Sequence, residues 1–140
     1  MQRKARIGCV ALAACLPIGG CHKSPPPRPA GTGAREAVLA FCEAVRHRDW
    51  PSAYSLLHSD VRGKCTEAQF ADRANQYRSS LGFEPEEVHV GACQEQADAA
   101  TAHVTWTGWA AAHHRKFKDS LEVRRTDGGW AVMLRTKNGL

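Results

Sequence analysis

Residues 37–57 read AVLAFCEAVRHRDWPSAYSLL, and this stretch decides the fold. Four of its apolar side chains recur at i, i+3, i+4 and i+7, the spacing of one helical face: Val38, Phe41, Cys42 and Val45. The pattern breaks at Arg48 and resumes in a new phase at Trp50. Two short amphipathic helices of this kind are not stable alone, so the stretch predicts a helix pair packed on a sheet.

Capping signals indicate where the next helices begin. Asp49 is placed to cap the second helix. Residues 59–65 have the composition of a loop, and Thr66 and Gln69 then match the spacing of a capping box. They predict a third helix, which Gly82 ends.

After the third helix the periodicity changes from helical to alternating. Alternating apolar and polar residues predict four strands, and a Thr-Asp-Gly-Gly turn at residues 126–129 separates the last two. The strands are centred on residues 88–93, 100–107, 117–123 and 130–134. Three helices followed by four such strands predict an α+β domain, with the helices on one face of a curved four-stranded antiparallel sheet.

The first 20 residues are predicted to be an export signal. Three cations in the first six residues precede the apolar residues 7–18, which are too few to span a bilayer as a helix. Residues 16–21, LPIGGC, resemble the lipobox of bacterial lipoproteins. The resemblance implies lipidation of the Cys21 thiol, cleavage before Cys21 and acylation of the new amino terminus with a palmitate-like chain. Simple secretion after cleavage near Gly20 is the alternative.

A Pro- and Gly-rich linker separates this signal from the folded domain, which is predicted to span residues 35–140. Residues 21–34 comprise the lipidated terminus and an extended spacer that reaches about 30 Å. The same prolines could instead bind an aromatic groove. Position 22 is His, whereas Asp there resembles an inner-membrane retention signal. A Gram-negative source would therefore place the protein on the outer membrane, facing the periplasm.

The charge of the chain is largely a property of its signal. The formal net charge is +5, but without residues 1–20 the chain has 16 Lys and Arg against 14 acidic residues. Binding to nucleic acid is therefore not indicated. A predicted basic patch comprises Arg115, Lys116, Lys118, Arg124 and Arg125. It could contact anionic lipid, anionic glycan or an acidic envelope protein, or it could be a solvated face whose cations prevent sheet pairing.

The helix pair and the closing hairpin resemble the nuclear transport factor 2-like superfamily, in particular its small bacterial lipoprotein branches of unknown function. The matching features are Asp49 after helix one, Ala53-Tyr54 in helix two and residues 127–130, Asp-Gly-Gly-Trp. The resemblance implies a cone-shaped half-barrel whose helices close over a concave sheet, often around an apolar pocket. Its members include isomerases, dehydratases, hydrolases and non-catalytic modules, so the fold does not select a function.

Enzymes of this superfamily place a carboxylate or histidine inside the cone as a general base. His89 and His103 lie out of phase with the apolar residues and are expected to point away from it. Asp119 shares the phase of its apolar neighbours and could point inward, where Tyr54 could meet it; such a residue also marks a bulge or an edge strand. An apolar pocket could be lined by Trp50, Tyr54, Trp106, Trp109 and Asp119, or the aromatics could be core residues.

The cysteines outside the signal and the anchor suggest one disulfide. Cys42 belongs to the apolar face of helix one, which leaves Cys65 and Cys93 as a possible pair in an oxidising compartment. No Cys-x-x-Cys is present, and the adjacent His113 and His114 point to opposite faces of a strand, so neither a metal site nor a cofactor is expected.

Two functions fit this sequence. One is a membrane-anchored envelope lipoprotein that acts as a non-catalytic binding or interaction module. The other is a cone-pocket enzyme or carrier for an apolar small molecule. An enclosed cavity with an inward carboxylate or histidine would favour the second, and a filled cone would favour the first. The first is preferred because no acid–base constellation is evident.

Overall fold

A computed structural model describes residues 32–134 of the chain. The predicted export signal, Cys21, most of the linker and residues 135–140 lie outside this range. The helices are α1 (Ala34–His47), α2 (Trp50–Ser55), α3 (Ser59–Arg62) and α4 (Glu67–Ser80), and the strands are β1 (Glu84–Gln96), β2 (Ala99–Ala110), β3 (His113–Thr126) and β4 (Gly129–Met133). This order confirms the predicted α+β class, and α3 is one helical turn within the segment that the sequence assigned to a loop.

Side-chain caps fix the starts of the helices. At α2, the Asp49 carboxylate accepts a backbone N–H at 3.2 Å. At α4, the backbone N–H of Gln69 donates to Thr66 Oγ1 at 3.3 Å, and the Thr66 N–H donates to Gln69 Oε1 at 3.0 Å, which completes the predicted capping box. None of the helices within residues 32–134 is both long and apolar enough to cross a bilayer.

The four strands form one antiparallel sheet in the order β1-β2-β3-β4. The pairing of β2 with β3 is unbroken from Ala99 to Ala110, whereas β1 shifts register twice, between Pro85 and Glu87 and again before Cys93. The short β4 pairs only with residues 122–126 of β3. Residues 113–121 therefore form an edge of the described sheet that no strand within residues 32–134 covers.

One face of the sheet packs against the helices, as the alternation predicted. Its buried side chains meet those of α1 and α4 in a single apolar core, whose largest fully buried members include Phe41, Phe70, Val38, Val45, Val90, Val104, Val123 and Val132. His89 and His103 lie on the opposite, exposed face, and His103 is within 2.9 Å of the Ser120 hydroxyl. Core side chains thus occupy the space between helices and sheet.

Candidate functional site

A tyrosine–carboxylate pair joins α4 to β3 at the margin of the core. The Tyr77 hydroxyl donates to Asp119 Oδ2 at 2.9 Å, and Asp119 Oδ1 accepts the backbone N–H of Ser120 at 2.7 Å. Tyr77 lies on the buried face of α4 and is 7% exposed. Asp119 lies opposite Val104 in the unbroken β2–β3 register, so its inward direction needs no bulge. Both oxygens of this inward carboxylate therefore have protein donors.

Aromatic rings surround the pair. The Tyr77 ring meets Trp106 and Phe117 edge to face, with centroid separations of 6.2 and 6.4 Å. Trp106 is buried, whereas Phe117 is 38% exposed. The pair is consequently closed on the Trp106 side and approaches solvent on the Phe117 side.

Burial and the nearby Asp119 carboxylate keep two side chains, Tyr77 and Cys42, in their protonated forms. Desolvation, followed by the charge of Asp119 and the hydrogen bond to it, raises the pKa of Tyr77 above its ordinary value of 10.0. Desolvation and then the same charge raise the pKa of the Cys42 thiol above 9.0. Both side chains are therefore neutral near pH 7. Tyr77 acts there as a hydrogen-bond donor that orients Asp119, and neither it nor Cys42 supplies an anionic nucleophile.

The stability of the domain is expected to fall in alkaline solution. Above about pH 9 to 10 the unfolded chain releases protons from tyrosine and cysteine, while the native state still holds those of Tyr77 and Cys42. A group whose pKa is higher in the native state than in the unfolded state contributes its full stabilisation at pH values below the unfolded pKa. This stabilisation is lost as the pH rises from the unfolded pKa through the native pKa. Each group contributes a slope of up to about 1.4 kcal/mol per pH unit. Urea denaturation at successive pH values measures this slope.

Tyr77→Phe is expected to reduce that alkaline slope, because it removes one of the groups whose pKa is raised in the native state. Tyr54→Phe is the matched control, since its hydroxyl donates to backbone carbonyls and has no carboxylate partner. An unchanged slope in Tyr77→Phe would contradict the conclusion that the pKa of Tyr77 is raised in the native state.

The structure does not assemble the predicted pocket. Trp50 and Tyr54 pack against Phe70, with centroid separations of 6.4 and 6.0 Å. The Tyr54 hydroxyl donates to the Cys65 carbonyl oxygen at 2.8 Å and does not meet Asp119. The proposed Asp119–Tyr54 pair is therefore wrong, because α2 directs its tyrosine towards the start of α4.

Two of the predicted pocket residues do lie together. Trp106 and Asp119 both adjoin Tyr77, a residue that the sequence placed on the apolar face of the third helix but not in a site. Trp109 is separate from them: it is 52% exposed and lies edge-on to His114, with a centroid separation of 5.3 Å. The chain has only two tyrosines, and the position of Tyr77 on the apolar face of its helix was the sequence signal that could have indicated its contact with Asp119.

The structure does not form the predicted disulfide. Cys42, Cys65 and Cys93 are free thiols. Cys65 Sγ donates to the Val61 carbonyl oxygen at 3.5 Å, in the loop before α4, whereas Cys93 lies at the second register shift of β1. The fold thus places these two cysteines in different packing environments. Within residues 32–134, no group of three His, Cys, Asp or Glu side chains is arranged to hold a metal ion.

The basic patch separates into two groups at opposite ends of β3. Arg115, Lys116 and Lys118 lie beside the β2–β3 turn. Arg124 and Arg125 lie beside the β3–β4 turn, where the Arg125 guanidinium is 4.9 Å from the centroid of the Trp130 ring. Lys118 and Arg124, the nearest members of the two groups, are six residues apart, or roughly 20 Å at about 3.3 Å per residue, so these cations do not form one continuous patch.

Two of the surface clefts within residues 32–134 are lined by neither Tyr77 nor Asp119. The first has a volume of about 260 Å³ and is lined by Arg48, Asn75, Arg78, Ser79, Phe83 and Glu84. The second has a volume of about 300 Å³ and is lined by Glu43, Arg46, Glu86, Glu87, Val88, His89 and Thr107. Each contains an arginine already paired with a glutamate, Arg78 with Glu84 and Arg46 with Glu43. The Arg78 pair joins α4 to the start of β1, and Arg46 also donates to the Glu86 carbonyl oxygen of β1 at 2.9 Å, so both arginines hold helices to the sheet.

Solved structures show what this domain is similar to, while no protein-family model and no curated protein matches the chain. A proposed NTF2-like transpeptidase from Campylobacter jejuni matches 71% of this chain and 96% of its own at 14% identity, with a TM-score of 0.54. A SEC-C-motif protein from Rhodopseudomonas palustris matches 70% and 73% at 11% identity, with a TM-score of 0.55. A proposed dehydratase of the NTF2-like family from Streptomyces avermitilis matches 69% and 86% at 14% identity, with a TM-score of 0.46. The Campylobacter jejuni match shows that this domain has the nuclear transport factor 2-like (NTF2-like) fold, and fold alone does not assign a reaction.

Proposed function

We propose that this protein is a lipid-anchored protein of the bacterial cell envelope, whose NTF2-like domain is a non-catalytic binding or interaction module. The anchor is supported by the order of a basic segment, a short apolar segment, the lipobox-like LPIGGC and a Pro-rich linker. Anchoring through several acyl chains would be stable, whereas a single chain holds a protein only marginally. The predicted location is the outer membrane, facing the periplasm.

The proposal that the domain is non-catalytic rests on the contacts of Asp119. A general base must reach a substrate proton, whereas the hydrogen bonds that this carboxylate accepts from Tyr77 and from Ser120 hold it against α4 and its own strand. The inner face around it is occupied by core side chains such as Trp106. These contacts make Asp119 part of the packing between α4 and the sheet.

Fractionation of a Cys21→Ser variant tests the anchor. We expect the parent chain to remain with membranes, and the variant to lose its lipid and leave the membrane fraction after its leader is removed. Cys93→Ser is the matched control, because it removes a thiol from the folded domain and should leave membrane partitioning unchanged. A Cys21→Ser chain that loses its leader normally and still partitions like the parent contradicts the proposal.

A cone-pocket enzyme or carrier for an apolar small molecule is the second candidate. It is favoured by one observation, the approach of the Tyr77–Asp119 pair to solvent beside the half-exposed Phe117. Mass spectrometry of small molecules that co-purify with the parent chain tests it. A stoichiometric apolar ligand that is lost in Asp119→Asn would favour this candidate over the module.

A further inference from the structure

The end of the β2–β3 hairpin carries the exposed large hydrophobic side chains of the described domain. Within residues 32–134 these are Trp109, 52% exposed, and Phe117, 38% exposed. Between them the chain turns through Ala111 and Ala112, which are small, apolar and exposed. We call residues 109–118 the hairpin end. It combines an exposed indole with a turn that presents no acidic or amide side chain.

The hairpin end is also cationic. Arg115, Lys116 and Lys118 are exposed, and their cross-strand partners are Gly108, Thr107 and Thr105, none of which carries a charge. None of these three cations forms an ion pair within residues 32–134. The sequence contains no Asp or Glu from residue 99 to residue 118. Residues 99–118 therefore carry no acidic side chain to neutralise this charge, and the next residue, Asp119, is bonded to Tyr77.

Neighbouring acidic side chains do not neutralise it either. Glu84 lies opposite Trp109 but is bonded to Arg78 and faces Arg48 at 3.4 Å. Glu87 lies opposite Thr107, so its backbone is two strand spacings, or roughly 10 Å, from that of Lys116, and the two side chains form no ion pair.

We propose that the hairpin end docks on an anionic lipid bilayer. The indole of Trp109 would lie at the level of the head groups, as exposed tryptophans do at membrane interfaces, while Arg115, Lys116 and Lys118 contact lipid phosphates. The inference deepens the proposed function and rests on it for its setting, because a lipid anchor would hold the domain near a membrane. Thr32, where the described chain begins, bonds Glu95 and Trp130 at the other end of the sheet, roughly 36 Å from the hairpin end at about 3.3 Å per residue of β2. Since the linker reaches about 30 Å, docking requires the strands to lie along the membrane surface and not upright on it.

Side-chain chemistry favours lipid over the other anionic partners. A glycan site would place free amide or carboxylate side chains beside the aromatic ring to bind hydroxyl groups. Residues 109–118 contain none, and the carboxylate of Glu84, opposite Trp109, is bonded to Arg78. A protein site would be expected to offer a groove or a packed apolar centre, whereas this surface is the turn of a hairpin. An apolar indole and small turn residues, with cations following them along β3, match the boundary between head groups and acyl chains.

Quenching of tryptophan fluorescence by brominated acyl chains tests the docking. The full chain is mixed with vesicles containing about one-third phosphatidylglycerol, or with vesicles of phosphatidylcholine alone. We expect quenching with the anionic vesicles, its weakening by salt, and its loss in Trp109→Phe, because Trp50, Trp106 and Trp130 are buried or half-buried in the domain. Each cation near an anionic surface is worth about 1 kcal/mol, or roughly fivefold. Changing Arg115, Lys116 and Lys118 to Gln should thus shift the docked equilibrium on the order of a hundredfold.

The matched control removes three other exposed cations. Changing Arg62, Lys64 and Arg73 to Gln alters the net charge by the same amount in α3, α4 and the segment between them, and should preserve quenching. Equal quenching by neutral and anionic vesicles, or quenching that survives Trp109→Phe, would overturn the proposal. So would equal losses in the two triple variants. The lipid anchor is tested by a separate measurement, the membrane partitioning of Cys21→Ser. The docking proposal and the anchor proposal can therefore fail independently.

Discussion

Gly108→Ala is expected to destabilise the native domain by about 3 kcal/mol or more, at the upper end of what overpacking costs. A Cβ at this position would lie 2.0 Å from the backbone oxygen of Glu84 and 2.8 Å from Cδ2 of Phe83. The register shift after Pro85 brings this part of β1 onto Gly108. Since the obstructing atom is backbone, relief requires the start of β1 to move, and Glu84 is itself bonded to the buried Arg78.

Urea denaturation followed by circular dichroism measures this loss. Gly91→Ala is the matched control on the same strand pair, because its Cβ would meet its nearest atom, the His103 carbonyl oxygen, at 3.6 Å, an ordinary contact. We expect the control to change stability by about 1 kcal/mol or less. A Gly108→Ala domain as stable as Gly91→Ala would show that β1 does not begin as described.

Arg78→Met is expected to cost about 2–4 kcal/mol of folding stability. The guanidinium is 5% exposed, and its Nη1 donates to the carbonyl oxygens of Val45 at 2.9 Å and Arg46 at 2.6 Å, at the end of α1. Its Nη2 bonds the Glu84 carboxylate. One side chain of α4 therefore satisfies the last carbonyls of α1 and holds the start of β1.

The carbonyl contacts should dominate the effect of this substitution. Glu84 has a side chain that is 64% exposed, so its ion pair is screened by solvent and contributes little. Added salt should consequently reduce the difference between parent and variant only slightly. Arg78→Lys should lose less stability than Arg78→Met, because lysine keeps the positive charge. It should not match the parent, because an ammonium lacks the planar fork of the guanidinium. Arg73→Met is the exposed control on the same helix. Equal stability of Arg73→Met and Arg78→Met would contradict this account.

The local parts of the fold were readable from the sequence because short-range chemistry determines them. Thr66 and Gln69 form the capping box that their spacing predicts. Alternation placed Asp119 on the inner face and His89 and His103 on the outer one, since a strand directs successive side chains to opposite faces. The start of β1 was missed because Pro85 suggests a break, although an edge strand tolerates proline.

The candidate site was harder to predict because it depends on how distant elements pack. Both tyrosines lie on amphipathic helices, and only the placement of α4 over β3 brings the hydroxyl of Tyr77, and not that of Tyr54, within hydrogen-bond distance of Asp119. Likewise, a 27-residue separation permitted a Cys65–Cys93 bridge, but the path of the chain leaves both thiols free. Counting charge along β3 also could not show that its length separates Arg115 from Arg125.

The mass of the N-terminal peptide, from protein isolated with membranes, tests the proposed anchoring most directly. The account predicts a peptide that begins at Cys21 and carries both a thiol-linked lipid and an acylated amino group. It also predicts that no peptide from residues 1–20 accompanies it. An unmodified Cys21 thiol, or a mature chain that begins elsewhere, would contradict the proposal that lipid holds this NTF2-like domain at the envelope.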